Sequence, residues 1–147
     1  MPVTTTGTDA VRDYLLTEHR AVVEAVRDCT VAAAEAETND SGRSETTAVR
    51  RGTEARLREA GVWTSLPGVL AGCVRAFGRE LSATPVPAPP YVAPTATGVV
   101  LRATVDGGRL VVSVDALTVE RGGEGVGVRL APRGEPLPAL VGVEWRS

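Results

Sequence analysis

A chain of 147 residues with 43% hydrophobic and 23% charged residues has an ordinary globular composition, fits one domain, and can bury a core without disulfides or a metal. Its formal net charge of −2 excludes a global attraction to nucleic acid or to an anionic membrane. No run approaches the roughly 18 apolar residues of a spanning helix, and Met1–Ala10 lacks the basic and apolar regions of a secretory signal, so a cytoplasmic protein with no membrane partner is expected.

The missing residue types say more. Lys, Ile and Gln are absent, Asn, Phe and Met occur once each, and all 16 strong basic groups are Arg. Lys, Ile, Asn and Phe have AT-rich codons, so this pattern points to a GC-rich genome, a haloarchaeon or a GC-rich bacterium. It explains arginine in place of lysine without any functional need for guanidinium. The absence of Lys also excludes Schiff-base chemistry and a P-loop lysine.

In chain order, a first helix is predicted from Thr8, its N-cap, to about Glu37, with Asp9 near the positive end of the dipole. Its apolar stripe is Val11, Leu15, Val22, Val26, Cys29 and Ala33. Thr38–Gly42 reads as a polar loop. A second helix over about Glu45–Ala60 has a thin stripe of Val49, Thr53, Leu57 and Ala60, and Gly61 fits a Schellman end with Val62 folding back. A third begins near Ser65 with Pro67 in its first turn, and its stripe runs through Leu66, Val69, Leu70, Cys73, Val74, Phe77 and Leu81. Gly68, Gly72 and Gly78 weaken that helix unless close packing requires them. Gly68 and Gly72, four apart, predict a contact with a neighbouring helix.

Residues 83–97 hold five prolines and read as an extended connector. Beyond it the period becomes two. Val99, Leu101, Ala103 and Val105 share one face, as do Leu110, Val112, Val114 and Ala116, and Asp106-Gly107-Gly108 between them is a hairpin turn. Either Gly107-Gly108 or Asp106-Gly107 can occupy the turn, with the same faces kept together. Leu117 and Val119 break phase, which predicts a bend near Asp115–Ala116. Gly122–Gly125 makes the next turn, Val126, Val128 and Leu130 a third strand, and Val141, Val143 and Trp145 a fourth. The expected fold is therefore α+β. A three-helix segment (about 8–82) packs on one face of an antiparallel four-stranded sheet, a β-meander (98–147), in a single domain of residues 1–147.

Chemistry is sparse. His19, the only histidine, borders the apolar stripe of the first helix, and a general base would need an orienting carboxylate and a nucleophile beside it. Cys29 and Cys73 with one His form no zinc pattern, so no metal and no cofactor is expected. No Walker A loop, GxGxxG after a strand, HExxH or GxSxG occurs. Asp115, Glu120 and Glu144 on strands are explained by a solvated sheet face. Arg50, Arg51, Arg56 and Arg58 make the second helix the most basic segment and the candidate nucleic-acid contact, each arginine able to meet a phosphate. Against it, Glu45, Glu54 and Glu59 are interleaved, and Glu54 and Arg58 have the spacing of a surface ion pair.

The run Leu66-Pro67-Gly68-Val69-Leu70-Ala71-Gly72-Cys73-Val74-Arg75-Ala76-Phe77-Gly78-Arg79-Glu80-Leu81, then Pro85–Tyr91, then the Leu101–Val114 hairpin, resembles an uncharacterised haloarchaeal protein family over about the middle third of the chain. The resemblance implies no activity. It implies that the third helix, the connector and the first hairpin form a common unit.

The leading functional expectation is a non-catalytic cytoplasmic binding or assembly module, with a homo-oligomer or a protein as partner. The alternatives are a nucleic-acid-associated regulator using Arg50, Arg51, Arg56 and Arg58, and a small enzyme using carboxylates or His19.

Overall fold

A computed structural model describes residues 6–120 and 127–147. The chain runs through α1 (Gly7–Glu18), α2 (Arg20–Ala36), α3 (Thr46–Glu59), a 3-10 turn at Trp63–Ser65 and α4 (Leu66–Ala76). The strands follow: β1 (Val92–Pro94), β2 (Gly98–Val105), β3 (Gly108–Asp115), β4 (Leu117–Glu120), β5 (Arg129–Pro132) and, after a second 3-10 turn at Leu137–Leu140, β6 (Val141–Arg146). The antiparallel four-stranded sheet has the order β1-β2-β3-β6, and β4 and β5 form a separate two-stranded ribbon. Helices before, sheet after: the α+β arrangement is the expected one, with four α-helices among the described residues instead of three.

The extra helix comes from a break at His19. Its backbone (φ −131°, ψ 31°) leaves the helical region, while its N–H still bonds to the Leu15 carbonyl at 2.9 Å. No Gly or Pro marks the spot. A ring contact holds it instead, with Tyr14 Oη 2.9 Å from His19 Nε2 and the rings meeting edge-on. The break changes part of the apolar stripe and leaves Val26 and Ala33 in it. After Val11 and Leu15 the buried positions are Val23, Val26, Thr30, Ala33 and Ala34, so Val23 and Thr30 take the places expected for Val22 and Cys29. The N-cap is Thr6, whose hydroxyl accepts from the Asp9 N–H at 3.1 Å, rather than Thr8.

The other helix ends follow local chemistry. In α3, Val62 N–H bonds to the Leu57 carbonyl and Gly61 N–H to the Arg58 carbonyl, with Gly61 at φ +75°, which is a Schellman end. The same pattern closes α4 at Gly78 (φ +90°), through Gly78 to Arg75 and Arg79 to Val74. Helix α4 therefore stops at Ala76, short of Leu81. Gly72 on α4 is buried against the Tyr14 ring of α1, where a Cβ would collide with the hydroxyl, while Gly68 has open space. One of the two spaced glycines serves the helix contact.

The connector is partly built into the sheet. Val92–Pro94 pairs with Val99–Leu101, and Trp63, 1% exposed, donates from Nε1 to the Pro87 carbonyl at 3.1 Å. The fourth strand of the sheet thus lies inside residues 83–97. The third expected strand, Val126–Leu130, overlaps β5 of the ribbon; the Gly122–Gly125 turn and Val126 lie outside the described residues. The chain changes sheets at Ala116, where the bend was expected. In the hairpin, Val105 pairs with Gly108 and Ala103 with Leu110, so Asp106-Gly107 occupies the turn with Gly107 at φ +91°.

Helices α1, α2 and α4 cover one face of the sheet. The main core joins Val11, Leu15, Val23, Val26, Leu66, Val69, Leu70 and Cys73 to Val99, Leu101, Ala103, Leu110, Val112 and Val141. Burying each large aliphatic side chain of this set contributes about 1.5–3 kcal/mol. A second small cluster, Ala33, Ala34, Val49 and Leu117 with Leu130, seats the ribbon on α2 and α3. Among the described residues no helix is long and apolar enough to cross a membrane.

Candidate anion-binding face

Because side chains alternate along a strand, burying Val99, Leu101 and Ala103 turns Val100, Arg102 and Thr104 outward. The same rule turns Arg109, Val111 and Ser113 of β3, and Gly142, Glu144 and Arg146 of β6, to the outer face. Arg102, Thr104, Arg109, Glu144 and Arg146 are all exposed. The register sets these residues in rows across the sheet. Arg102 lies opposite Val111, which lies opposite Glu144; Thr104 lies opposite Arg109, which lies opposite Arg146. Arg102 and Arg109 are diagonal neighbours, a relation that puts Cα atoms about 7–8 Å apart. Tyr91 sits on the other side of Arg102, its carbonyl accepting from the Arg102 N–H at 2.9 Å.

Two adjoining clefts open on these rows. One, about 300 Å³, is lined by Pro90, Tyr91, Arg102, Thr104 and Arg109. The other, about 340 Å³, is lined by Thr104, Val105, Gly108, Arg109 and Arg146. Arg146 Nη2 donates to Glu144 Oε2 at 3.0 Å on the open surface. Among the described residues, neither Arg102 nor Arg109 has a carboxylate within ion-pair distance. Among the described residues no carboxylate, imidazole or thiol lines either cleft, and the guanidiniums and hydroxyls that do are groups that hold an anion.

The arginines of α3 are dispersed differently. Arg50, Arg51 and Arg58 line an open groove of about 420 Å³ with Thr47, Glu54, Ala55 and Pro94. Within it Arg58 Nε donates to Glu54 Oε2 at 2.8 Å and its guanidinium lies 5.5 Å from the centre of the Trp63 ring. Arg50 Nη2 donates to Thr47 Oγ1 at 3.1 Å. Arg56 is half-buried outside this groove, donating from Nη1 to the Gly52 carbonyl at 3.3 Å. The structure brings three of the four together and leaves Arg56 apart.

His19 meets Tyr14 rather than a carboxylate. Burial first, and then the nearby Cys73, push the Tyr14 phenol above its ordinary range, so it stays a neutral hydroxyl. Asp115 accepts from Thr97 Oγ1 at 2.7 Å, Glu144 is held by Arg146, and Glu120 ends the ribbon strand β4. Cys29 and Cys73 are free thiols, and burial pushes Cys73 up to about 12. Among the described residues no group of three or more His, Cys, Asp or Glu could hold a metal ion.

The chain is matched over residues 9–140 by the family model of a domain of unknown function, DUF7988. It belongs to that family. No curated protein and no solved structure matches it. The DUF7988 match spans Tyr91, Arg102, Thr104 and Arg109 and stops before β6, so Arg146 lies beyond it.

Sequence reasoning about solvated strands passed over Arg102 and Arg109. The signal was present: strict alternation puts Arg102 and Thr104 opposite the apolar set, and the Asp106-Gly107 turn then brings Arg109 beside Thr104. What hid it was the open choice of turn, since placing Gly107-Gly108 there pairs Arg109 with Asp106.

Proposed function

We propose that this DUF7988 protein is a non-catalytic binding module that recognises an anionic partner through the outer face of its sheet. One observation carries the reading. Arg109 stands directly opposite Arg146 on an open face, with Arg102 on one diagonal and Glu144 on the other; Glu144 is paired with Arg146, and among the described residues no carboxylate is within ion-pair distance of Arg102 or Arg109. Like charges directly opposite across strands destabilise a sheet, by roughly 0.2–1 kcal/mol per pair. On α3 Glu54 balances Arg58, whereas in these rows of the sheet Arg102, Arg109 and Arg146 share the single carboxylate of Glu144. An anionic ligand neutralises the cluster and gives it a use.

The same reading favours binding over assembly through an apolar surface. Among the described residues the exposed large hydrophobic side chains are Val86 and Val119, two separated positions and not a patch. A cytoplasmic setting accords with two free thiols, and a haloarchaeal source with a chain that has sixteen Arg and no Lys.

Retention on a heparin column under a salt gradient tests the reading against its nucleic-acid alternative. Retention at low salt that is lost in Arg102→Glu/Arg109→Glu, and kept in Arg50→Glu/Arg51→Glu, is the expected result. Loss only in the α3 variant would transfer the function to the α3 groove. A wild-type protein that elutes in the void at low salt would overturn both. Light scattering on the same fractions reads self-association directly.

A further inference from the structure

We infer that the cleft between Tyr91 and Arg109 is a binding site for a phosphate monoester carried by a small molecule. The inference rests on the anion-binding reading of the outer face and goes further by naming the ligand class. Four features lead to it.

The first is charge. A phosphate monoester carries close to two negative charges at neutral pH, whereas a carboxylate or a phosphodiester carries one. Arg102 and Arg109 both line the cleft, and neither is engaged by an acid among the described residues. One carboxylate would be satisfied by a single guanidinium fork. Two forks on adjacent strands, diagonal in register, fit a dianion with three terminal oxygens.

The second is hydrogen bonding. Tyr91 and Thr104 line the same cleft and bring two hydroxyl groups. A phosphate monoester has oxygens enough to accept from hydroxyls as well as guanidiniums, and a carboxylate already held by two forks does not. The third is size. A cleft of about 300 Å³ lies at the lower end of small-molecule sites. It takes a phosphate with a modest organic group against Pro90, and a nucleic-acid strand would need a longer track of cations and stacking rings.

The fourth is chemical inertness. Pro90, Tyr91, Arg102, Thr104 and Arg109 include no carboxylate, imidazole or thiol to activate water. The bound ester is therefore held and not hydrolysed.

Isothermal titration calorimetry on the full chain tests this with three probes of matched shape or charge: phenyl phosphate, benzoate and a short single-stranded oligonucleotide without terminal phosphates. Phenyl phosphate should bind at least 10-fold more tightly than benzoate. Arg102→Gln and Arg109→Gln should each lower its affinity at least 10-fold, and Arg51→Gln on α3 by less than threefold, with far-UV circular dichroism unchanged because these side chains are exposed. Phenyl phosphate should be recovered intact after overnight incubation. If benzoate or the oligonucleotide binds as well as phenyl phosphate and the same variants lose it, the face binds anions but the monoester assignment is wrong. If none of the probes binds, the anion-binding reading itself fails with it.

Discussion

Gly68 and Gly72 lie one turn apart on the same helix, and replacing each by alanine should move stability in opposite directions. Alanine is favoured over glycine in a helix by about 0.8–1 kcal/mol. At Gly68 a new Cβ meets nothing within 4 Å, so most of that gain is realised, about 0.5–1 kcal/mol so near the helix start. At Gly72 the Cβ would fall inside the Tyr14 hydroxyl and 2.8 Å from Tyr14 Cε1. Tyr14 must swing away, which adds overpacking strain of about 1–3 kcal/mol and breaks its bond to His19, worth about 0.5–1.5 kcal/mol. After subtracting the helix gain, Gly72→Ala should destabilise by about 1–3 kcal/mol. For a chain of this size that is a fall in Tm of about 2–4 °C per kcal/mol, against a small rise for Gly68→Ala. Urea and thermal unfolding followed by circular dichroism read both. In a Tyr14→Ala background the collision is gone, and Gly72→Ala should become stabilising. A Gly72→Ala protein as stable as Gly68→Ala, or a penalty that persists without the Tyr14 ring, would refute the packing account.

Three further outcomes are expected. Thr53 is fully buried on α3, and its hydroxyl has no hydrogen-bond partner among the described residues; Thr53→Val keeps the shape and removes the desolvated polar atom, so the urea midpoint should rise by the equivalent of about 1 kcal/mol. Gly61→Ala should cost about 1 kcal/mol, because its φ of +75° disfavours any Cβ even though space is open there, and an unchanged midpoint would remove the Schellman end as a contributor. Cys73 is held as a thiol from its ordinary 9.0 up to about 12 by burial. Its folded value lies above its unfolded one, so the unfolded chain loses the proton first and stability falls as pH rises from about 9 to about 12, by about 1.4 kcal/mol per pH unit. Cys73→Ala should flatten that alkaline limb in pH-dependent urea titrations, and a limb of unchanged slope would mean that another group controls it.

What could be read from the residues alone depended on whether the cause was local. The Schellman end at Gly61, the turn at Asp106–Gly108, the bend near Ala116 and the inward faces of β2 and β3 are local in origin, and all are legible as spacing and turn chemistry. The break at His19 is not, because a side-chain contact five residues back holds it and no helix breaker stands there. The strand at Val92–Pro94 is hidden for a related reason. Proline makes the segment read as a connector, yet a proline is tolerated on an edge strand, and β1 is an edge. The arginine pair of the outer face needed both the alternation and the turn register. Only the first was fixed by the pattern.

Arg109 offers the sharpest separation of function from fold. If the arginine cluster exists for a ligand, the empty protein carries a penalty that a different residue would remove. Arg109→Glu turns the directly opposed Arg109 and Arg146 into an opposite-charge cross-strand pair and sets an acid diagonal to Arg102, gains that outweigh its new diagonal contact with Glu144, whose charge Arg146 already offsets. Exchanging an unfavourable pair for a favourable one should raise stability by about 0.5–1.5 kcal/mol at low ionic strength, from contributions of roughly 0.2–1 kcal/mol each way. Both charges are exposed, so the gain should shrink as salt screens them over about 10 Å at 0.1 M. The same variant should lose the retention on heparin and the affinity for phenyl phosphate. A more stable protein that binds nothing is the signature of a site kept at the expense of the fold. A variant that is no more stable than wild type, or whose gain ignores salt, would mean that the two guanidiniums already avoid one another and that the cluster carries no electrostatic strain for a ligand to relieve.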